Sequence, residues 1–410
     1  LIINILRGVL GIVTVLVLAY LLSFDRKRLN FRTIGAALSI QIIFAFLALK
    51  SSVGQAVMLG MSDGLSGVVG YANEGISFLF GPLVEGGFVF AIQVLTVIVF
   101  FSSLISVLYY IGIMQRVIDI IGGGLSKLLQ TTRVESLSAA ANIFLGLTEA
   151  PLVVKPYLSK ISDSEIFAIM VGGFGSVSGT VLVGYSLLGI PLKYLLAASF
   201  MSAPAALLLS KIVYPLPKEA LDKIKTGQDN VKIQMDQENQ PTNIIDAAAR
   251  GASTGVGMAI QIGGILFAFI SLIALVNGVL GNLGDLVGLN NLTLERILGF
   301  ILSPVAFLIG VPWKESMVAA QFLGQKMVIN EFVAYVNVGK IADELSPKTL
   351  MLLSFSLAGF ANFGAIASQI GGLGELAPTR RAVVSKLGLR AMLVGMLVSL
   401  LNASIAGMFI

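Results

Sequence analysis

Residues 142–158 read NIFLGLTEAPLVVKPYL, which sets an acid, Glu149, inside an apolar run and follows it with Pro151. A carboxylate in hydrocarbon costs about 2.5 to 3.5 kcal/mol on insertion scales unless it faces water, a partner or a polar ligand. Proline removes a backbone donor and favours a break. Residues 134–157 are therefore expected to enter and leave by the same side as a re-entrant hairpin, with Glu149 near its tip. Such a tip frees backbone amides and carbonyls for ligands.

The composition supports a membrane setting. The 410 residues are 56% hydrophobic and 12% charged, with a mean hydropathy of +0.93, outside the range of soluble domains. The fold class expected is an all-α integral membrane protein. Cysteine and histidine are absent, which excludes disulfides, thiolate nucleophiles, Ser-His-Asp chemistry and soft metal sites. No nucleophile–base pair supports an enzyme, and GGGLSK at 122–127 lacks phosphate-loop spacing. The net charge of +5 falls largely in short basic clusters between apolar runs, as the positive-inside rule requires without any nucleic-acid partner. Residues 1–24 read as a span rather than a cleaved signal.

Apolar segments long enough to cross a bilayer occur at 2–22, 33–49, 88–114, 194–213, 255–279 and 387–410. The intervening stretch 51–83 is too polar and glycine-rich to span and reads as an interfacial helix. Pro304 and Pro312 imply a bent or surface-lying element over 292–313. The basic clusters at 25–28, 116–133, 218–243 and 379–386 alternate with the spans if the N-terminus lies outside. The segment 218–243 then reads as a cytoplasmic linker between two halves.

Those halves match. Residues 146–157, LGLTEAPLVVKPY with its preceding leucine, lead into EIFAIMVGGFGSVSGTVLVGY at 165–185; MVINEFVAYVNVG at 327–339 leads into LMLLSFSLAGFANFGAIASQIGGL at 350–373. Each pairs a glutamate, Glu149 or Glu331, with a following helix rich in small residues and carrying Phe174 or Phe360. The charge alternation makes the repeat inverted, the arrangement of secondary transporters that bind substrate and coupling ion near the midplane. A second hairpin is expected over 313–337, with Glu331 at its turn beside Asn330. Ser176, Ser178, Thr180 and Asn362 are candidate ligands where glycine weakens the helix. Against these readings stand helix packing for the small residues and phenylalanines, a helix–helix hydrogen bond for Asn142, and ion pairs of the glutamates with Lys155 or Lys326.

At this point the chain resembles the concentrative nucleoside transporters of bacterial type over nearly its whole length. The resemblance is carried by GLTEAP (146–151), GGFGSVSGTVL (172–182), GVPWKES (310–316), GQKMVINEFVAY (324–335) and GFANFGAIASQIGG (359–372). It implies eight transmembrane helices, interfacial helices, two re-entrant hairpins, a homotrimer in the bacterial cytoplasmic membrane, and an elevator mechanism. It implies a scaffold of residues 1–133 and 251–311, repeats at 134–214 and 312–410, and a linker at 215–250. Thr148, Glu149 and Val181 are then expected to read a purine or pyrimidine base, with Leu147 beside them. Glu331 and Asn362 would read the ribose, with Val336 and Phe360 lining the pocket. A sodium ion would lie among Asn142, Leu145, Ser176 and Val177; hydroxyl, amide and carbonyl oxygens suit a hard cation.

Two departures from the family pattern affect the site. Leu147 stands where the family has glutamine, which implies weakened uridine recognition and a shift towards purines, since an unmade buried hydrogen bond costs about 1 to 3 kcal/mol. Ala365 stands where a serine is frequent. Proton coupling through Glu149 or Glu331 is the alternative to sodium, and a channel-like permease for another polar solute is the rival class.

Overall fold

The computed structural model describes residues 2–84, 89–227, 229, 231, 240–286, 288–289 and 292–409. Among these, regular structure is entirely helical. In chain order the helices are α1 (Ile2–Leu21), α2 (Phe31–Lys50), α3 (Ser52–Phe80), α4 (Phe90–Gln93), α5 (Leu95–Tyr110), α6 (Ile113–Leu129) and α7 (Arg133–Ala141). There follow α8 (Asp163–Gly175), α9 (Gly179–Ser186), α10 (Leu192–Val213), α11 (Lys218–Lys225), α12 (Ile244–Leu286) and α13 (Leu294–Leu308). The chain closes with α14 (Trp313–Val328), α15 (Glu331–Lys340), α16 (Pro347–Ser356), α17 (Phe363–Leu376) and α18 (Arg381–Ala406).

Among the described residues, seven helical stretches are long and apolar enough to cross a membrane. The expected segments at 2–22, 33–49, 194–213, 255–279 and 387–410 coincide with α1, α2, α10, α12 and α18. The expected span at 88–114 is shorter: residue 88 lies outside the described residues, and the helix stops at Tyr110 before Gly112, whose φ of 86° only glycine adopts easily. The glycine-rich 51–83 stretch forms one 29-residue helix, α3, largely exposed and not among the candidate spans. The α13 segment turns through 117° into α14 at Gly310 and Pro312. The linker expected at 215–250 ends sooner, because α12 begins at Ile244; residues 228, 230 and 232–239 of it lie outside the described residues.

Burial separates a centre from a periphery. The apolar windows of 163–186, α10 and 378–409 are 94%, 94% and 89% buried, whereas that of α12 is 6%. The centre is glycine-dependent: a Cβ at Gly395 of α18 would lie 2.3 Å from the Phe174 Cβ, so α8 and α18 approach closely only without one. The α1 and α2 helices pack on α18 and α10, while α5 packs along α12. The expected grouping of the first three spans is therefore not mirrored in their contacts, since apolar length specifies a helix but not its neighbour.

The two halves repeat one order, hairpin then broken helix then unbroken helix: α7 to α10, and α14 to α18. They run oppositely. Phe24 just beyond α1 donates its N–H to Val213 O at the end of α10, and Ser164 at the start of α8 donates to Tyr214 O. At the other end of α1, Asn4 accepts from Lys348 at the start of α16. The broken helices thus begin at opposite ends of α1, and the repeat is inverted.

Candidate functional site

The first hairpin starts from a capping box. The Thr132 hydroxyl accepts from the Glu135 N–H, and the Glu135 carboxylate accepts from the Thr132 N–H at 2.8 Å. The buried Glu135 also pairs with Lys211 at 2.5 Å, and Lys211 donates to Ser164 Oγ at 2.9 Å. That pair fastens the hairpin base to α8 and α10. The incoming helix ends at Ala141, the chain turns over 142–149, and 150–157 returns as a 3-10 helix. Glu149 precedes the return arm, as expected near the tip. Pro151 is not the breaker: the helix has already ended ten residues earlier, and Pro151 occupies the second position of the return arm, where its missing N–H has no helical partner to lose.

The second hairpin turns more tightly, at Ile329 and Asn330 between α14 and α15. The Asn330 side chain accepts from the Val333 N–H at 2.9 Å, so Glu331 becomes the first residue of α15. Both following helices break where small residues gather. In the first, α8 ends at Gly175 and the Ser178 side chain caps α9; in the second, α16 ends at Ser356 and the Asn362 side chain caps α17, accepting from Ala365 at 2.8 Å.

These breaks and the first hairpin's turn hydrogen-bond to one another. Gly179 N donates to Phe144 O at 2.9 Å, and Phe360 N donates to Ser176 O at 3.2 Å. A Cβ at Gly172 would lie 2.9 Å from the Asn142 amide nitrogen, while Ser176 Oγ donates to Gly172 O at 2.8 Å. Asn142 and Ser176 therefore meet around Gly172, with Leu145 and Val177 buried on the adjoining turn and break. The Asn142 amide donates to Ser138 O at 2.9 Å, yet its Oδ1 is buried with no hydrogen-bond partner among the described residues. An orphaned buried acceptor beside hydroxyl and carbonyl oxygens fits a hard cation.

The substrate residues fall into two neighbourhoods. Glu149 accepts from Gly146 N at 3.1 Å and lines a cavity of about 670 Å³ with Leu145, Lys155 and Thr180. The opposite wall is Ser102 and Tyr109 of α5 with Arg250 and Thr254 of α12, and the cavity reaches Gln240 and Pro241 at the linker end. Leu147 and the Gln369 amide both meet Gly173, and Thr148 reaches Gly372, so this turn also touches α17. Val181 is buried on α9.

Glu331 does not line that cavity. It is buried, with Oε1 accepting from Tyr185 Oη at 3.0 Å and Oε2 without a hydrogen-bond partner among the described residues. Asn362 and Lys326 are the other polar groups acting on it, but Lys326 donates to Ser356 O at 2.9 Å and Ser399 Oγ at 2.7 Å rather than to the carboxylate. An ammonium suits Ser356, the last residue of α16, where the helix dipole is negative. Phe360 is half-buried in the second break, and Val336 is half-buried five residues beyond Glu331.

Three residues of these two neighbourhoods escaped the sequence reading: Gln369 beside Gly173, and Tyr185 and Tyr335 near Glu331, the Tyr335 hydroxyl donating to Ser354 O at 2.8 Å. Their signal is a polar group within an apolar run just after a break or a hairpin turn.

Known proteins identify the family. Three family models match: the sodium-dependent nucleoside transporter N-terminus over 10–83, a nucleoside recognition Gate over 91–191, and the sodium-dependent nucleoside transporter C-terminus over 194–407. The chain is 44% identical to the nucleoside permease NupC of Helicobacter pylori, over 99% of this chain and 98% of that one. It is 51% identical to the uncharacterized transporter YutK of Bacillus subtilis, over 99% and 100%. With the sodium/nucleoside cotransporter 1 of Rattus norvegicus it shares 37% identity, over 97% of this chain and 62% of that one. Among solved structures, CNTnw in an inward-facing substrate-bound state superposes with a TM-score of 0.92 at 47% identity, covering 99% and 98% of the two chains. A CNTnw variant in its intermediate 2 state gives 0.94 at 47% identity over the same shares. The chain belongs to the concentrative nucleoside transporter family: it is a multi-pass integral membrane transporter, not an enzyme, and in bacteria such proteins lie in the inner membrane.

Proposed function

We propose that this chain imports nucleosides by sodium symport, moving a hairpin-bearing body past a scaffold in an elevator mechanism. The observation that carries sodium is the buried, unpartnered Asn142 Oδ1 between the first hairpin's turn and the first helix break. Asn142 and Ser176 supply side-chain oxygens, and Leu145 and Val177 supply carbonyls. Thr148, Glu149 and Val181 read the base with Leu147 beside them; Glu331 and Asn362 read the ribose, and Val336 and Phe360 line its pocket. The free Glu331 Oε2 is the acceptor left for a sugar hydroxyl.

Eight spans follow if 347–376, the α16–α17 pair, crosses as a broken helix like 163–186. The cavity between Glu149 and the α5–α12 pair, reaching the linker end, supports a substrate path to the cytoplasm in this conformation. Contacts favour a scaffold of α5 and α12, with α1 and α2 travelling with the repeats. The exposed apolar residues of α12, among them Ile260, Phe267 and Leu275, suit lipid and neighbouring copies of a homotrimer. The test is uptake of labelled uridine, adenosine, inosine and guanosine into proteoliposomes under an inward sodium gradient and, separately, an inward proton gradient. Sodium-driven accumulation is expected. Accumulation under the proton gradient alone overturns the sodium site; uptake that never exceeds equilibrium overturns the symporter in favour of a channel.

A further inference from the structure

A second cavity, of about 570 Å³, lies away from the substrate path. Its walls come from the α1–α2 connection with the start of α2, from Gln130 at the approach to the first hairpin, and from the end of α10 with the start of α11. Among its described lining residues four are basic, Arg28, Arg32, Lys211 and Lys218, and none is acidic. Two of the four are engaged. Arg28 pairs with Asp25 at 3.1 Å, and Lys211 with Glu135 at 2.5 Å. Arg32 and Lys218 are exposed, and no ion pair among the described residues engages them.

Asn30, Thr33 and Gln130 add uncharged polar groups, and the rest of the described wall is apolar. Leu29, Leu216 and Leu221 line it, as does Phe31, which is 78% exposed. A phenyl ring so exposed is unfavourable in water and favourable among lipid chains at a membrane interface. The cavity sits at the end of α1 marked by the basic cluster 25–28, which is the cytoplasmic end by the charge rule. A site with two free cations and an apolar wall, at the level of lipid headgroups, has the chemistry for a phosphate diester bearing acyl chains.

We propose that this cavity binds an anionic phospholipid of the cytoplasmic leaflet, its phosphate held by Arg32 and Lys218 and its chains lying against Phe31 and Leu29. The site stands on the orientation of the chain and not on the identity of the transported solute. It joins the α1–α2 connection to the end of α10, so an occupied site braces α2 against the repeat body it packs on.

The test uses the purified full-length protein in nanodiscs of phosphatidylcholine with increasing phosphatidylglycerol, read by the thermal denaturation midpoint. Phosphatidylglycerol is expected to raise the midpoint saturably in the parent. The lipid fraction for half effect should rise about fivefold for each cation removed, in Arg32→Gln and Lys218→Gln. A control, Lys127→Gln with Lys160→Gln, removes two charges outside the cavity and should leave the titration unchanged. Equal shifts in the control and the cavity variants overturn the proposal in favour of diffuse surface charge. Equal protection by inorganic phosphate in pure phosphatidylcholine overturns the lipid as the source of the anion. If the cavity variants do not fold, lipid retained by the parent through detergent purification decides: enrichment of phosphatidylglycerol over the bulk extract supports the site, and its absence overturns it.

Discussion

Tyr185→Phe isolates one bond across the repeats. Tyr185 belongs to α9 of the first repeat and donates at 3.0 Å to Glu331 Oε1 on the second hairpin. Its ring packs edge-on against Phe332 with centroids 5.0 Å apart and tilted on Tyr335 at 4.5 Å. Phenylalanine preserves those contacts and removes only the donor. Glu331 Oε2 has no hydrogen-bond partner among the described residues, so the variant removes the carboxylate's bond to the first repeat. Losing one buried hydrogen bond costs about 1 to 3 kcal/mol, which corresponds to about 5- to 150-fold in apparent affinity. The loss should fall on ribose recognition. In proteoliposomes, KM for uridine or adenosine should rise by that factor, whereas the inhibition constant of the 2′,3′-dideoxy analogue, which offers Glu331 no hydroxyl pair, should scarcely move. Ribose-to-dideoxyribose discrimination therefore collapses towards unity. Equal weakening of both ligands, or a fall in Vmax alone, would refute a positioning role for Tyr185 and leave it as packing.

Leu147→Gln restores an amide beside Gly173, where the Gln369 nitrogen already lies close, and should move base preference towards uridine, measured as the uridine-to-adenosine ratio of Vmax/KM; an unchanged ratio removes Leu147 from base recognition. Gly395→Ala forces a methyl to 2.3 Å from Phe174 Cβ and 3.0 Å from its backbone carbon, so the thermal midpoint should fall in line with about 1 to 3 kcal/mol of overpacking. Glu135→Gln removes one partner of the buried pair with Lys211 and should destabilise by about 3 to 5 kcal/mol, read as lost thermal stability that Glu135→Asp partly recovers.

What the sequence disclosed is what short-range backbone physics controls. The tip at Glu149, the turn before Glu331 and both helix breaks follow from residues that cap, turn or fail to sustain a helix within a few positions. Ser178 and Asn362 are N-caps as well as candidate ligands, so one local signal marked both features. Pro151 misled because proline suits the start of a return arm as well as the end of an incoming one. Tyr185 on Glu331, Lys326 on Ser399 and Thr148 against Gly372 are partners separated by much of a repeat or more. Neither hydrophobic period nor composition encodes such pairings. The packing of α1 and α2 on the repeats was hidden for the same reason: an apolar face specifies burial, not the surface that buries it.

A single chain of contacts runs from the proposed sodium site to the proposed ribose site, and it supplies a physical route for coupling. Asn142 lies against Gly172, whose carbonyl accepts from Ser176 Oγ; Ser176 O accepts from Phe360 N; Phe360 O accepts from Asn362 Nδ2 at 3.2 Å; and Asn362 neighbours Glu331. A cation that fixes Asn142 Oδ1 orders the first break, and through it the second. Linkage makes the effect reciprocal: if sodium tightens nucleoside binding by some factor, nucleoside tightens sodium binding by the same factor. Asn142→Ala removes the buried side-chain acceptor and should weaken sodium by the equivalent of about 1 to 3 kcal/mol. Nucleoside affinity should fall with it at limiting sodium and recover at saturating sodium. Calorimetric titration of each ligand with and without the other measures all four constants. Asn142→Ala with undiminished sodium affinity would take Asn142 out of the ion site, and nucleoside binding that ignores sodium in the parent would break the chain between the two helix breaks.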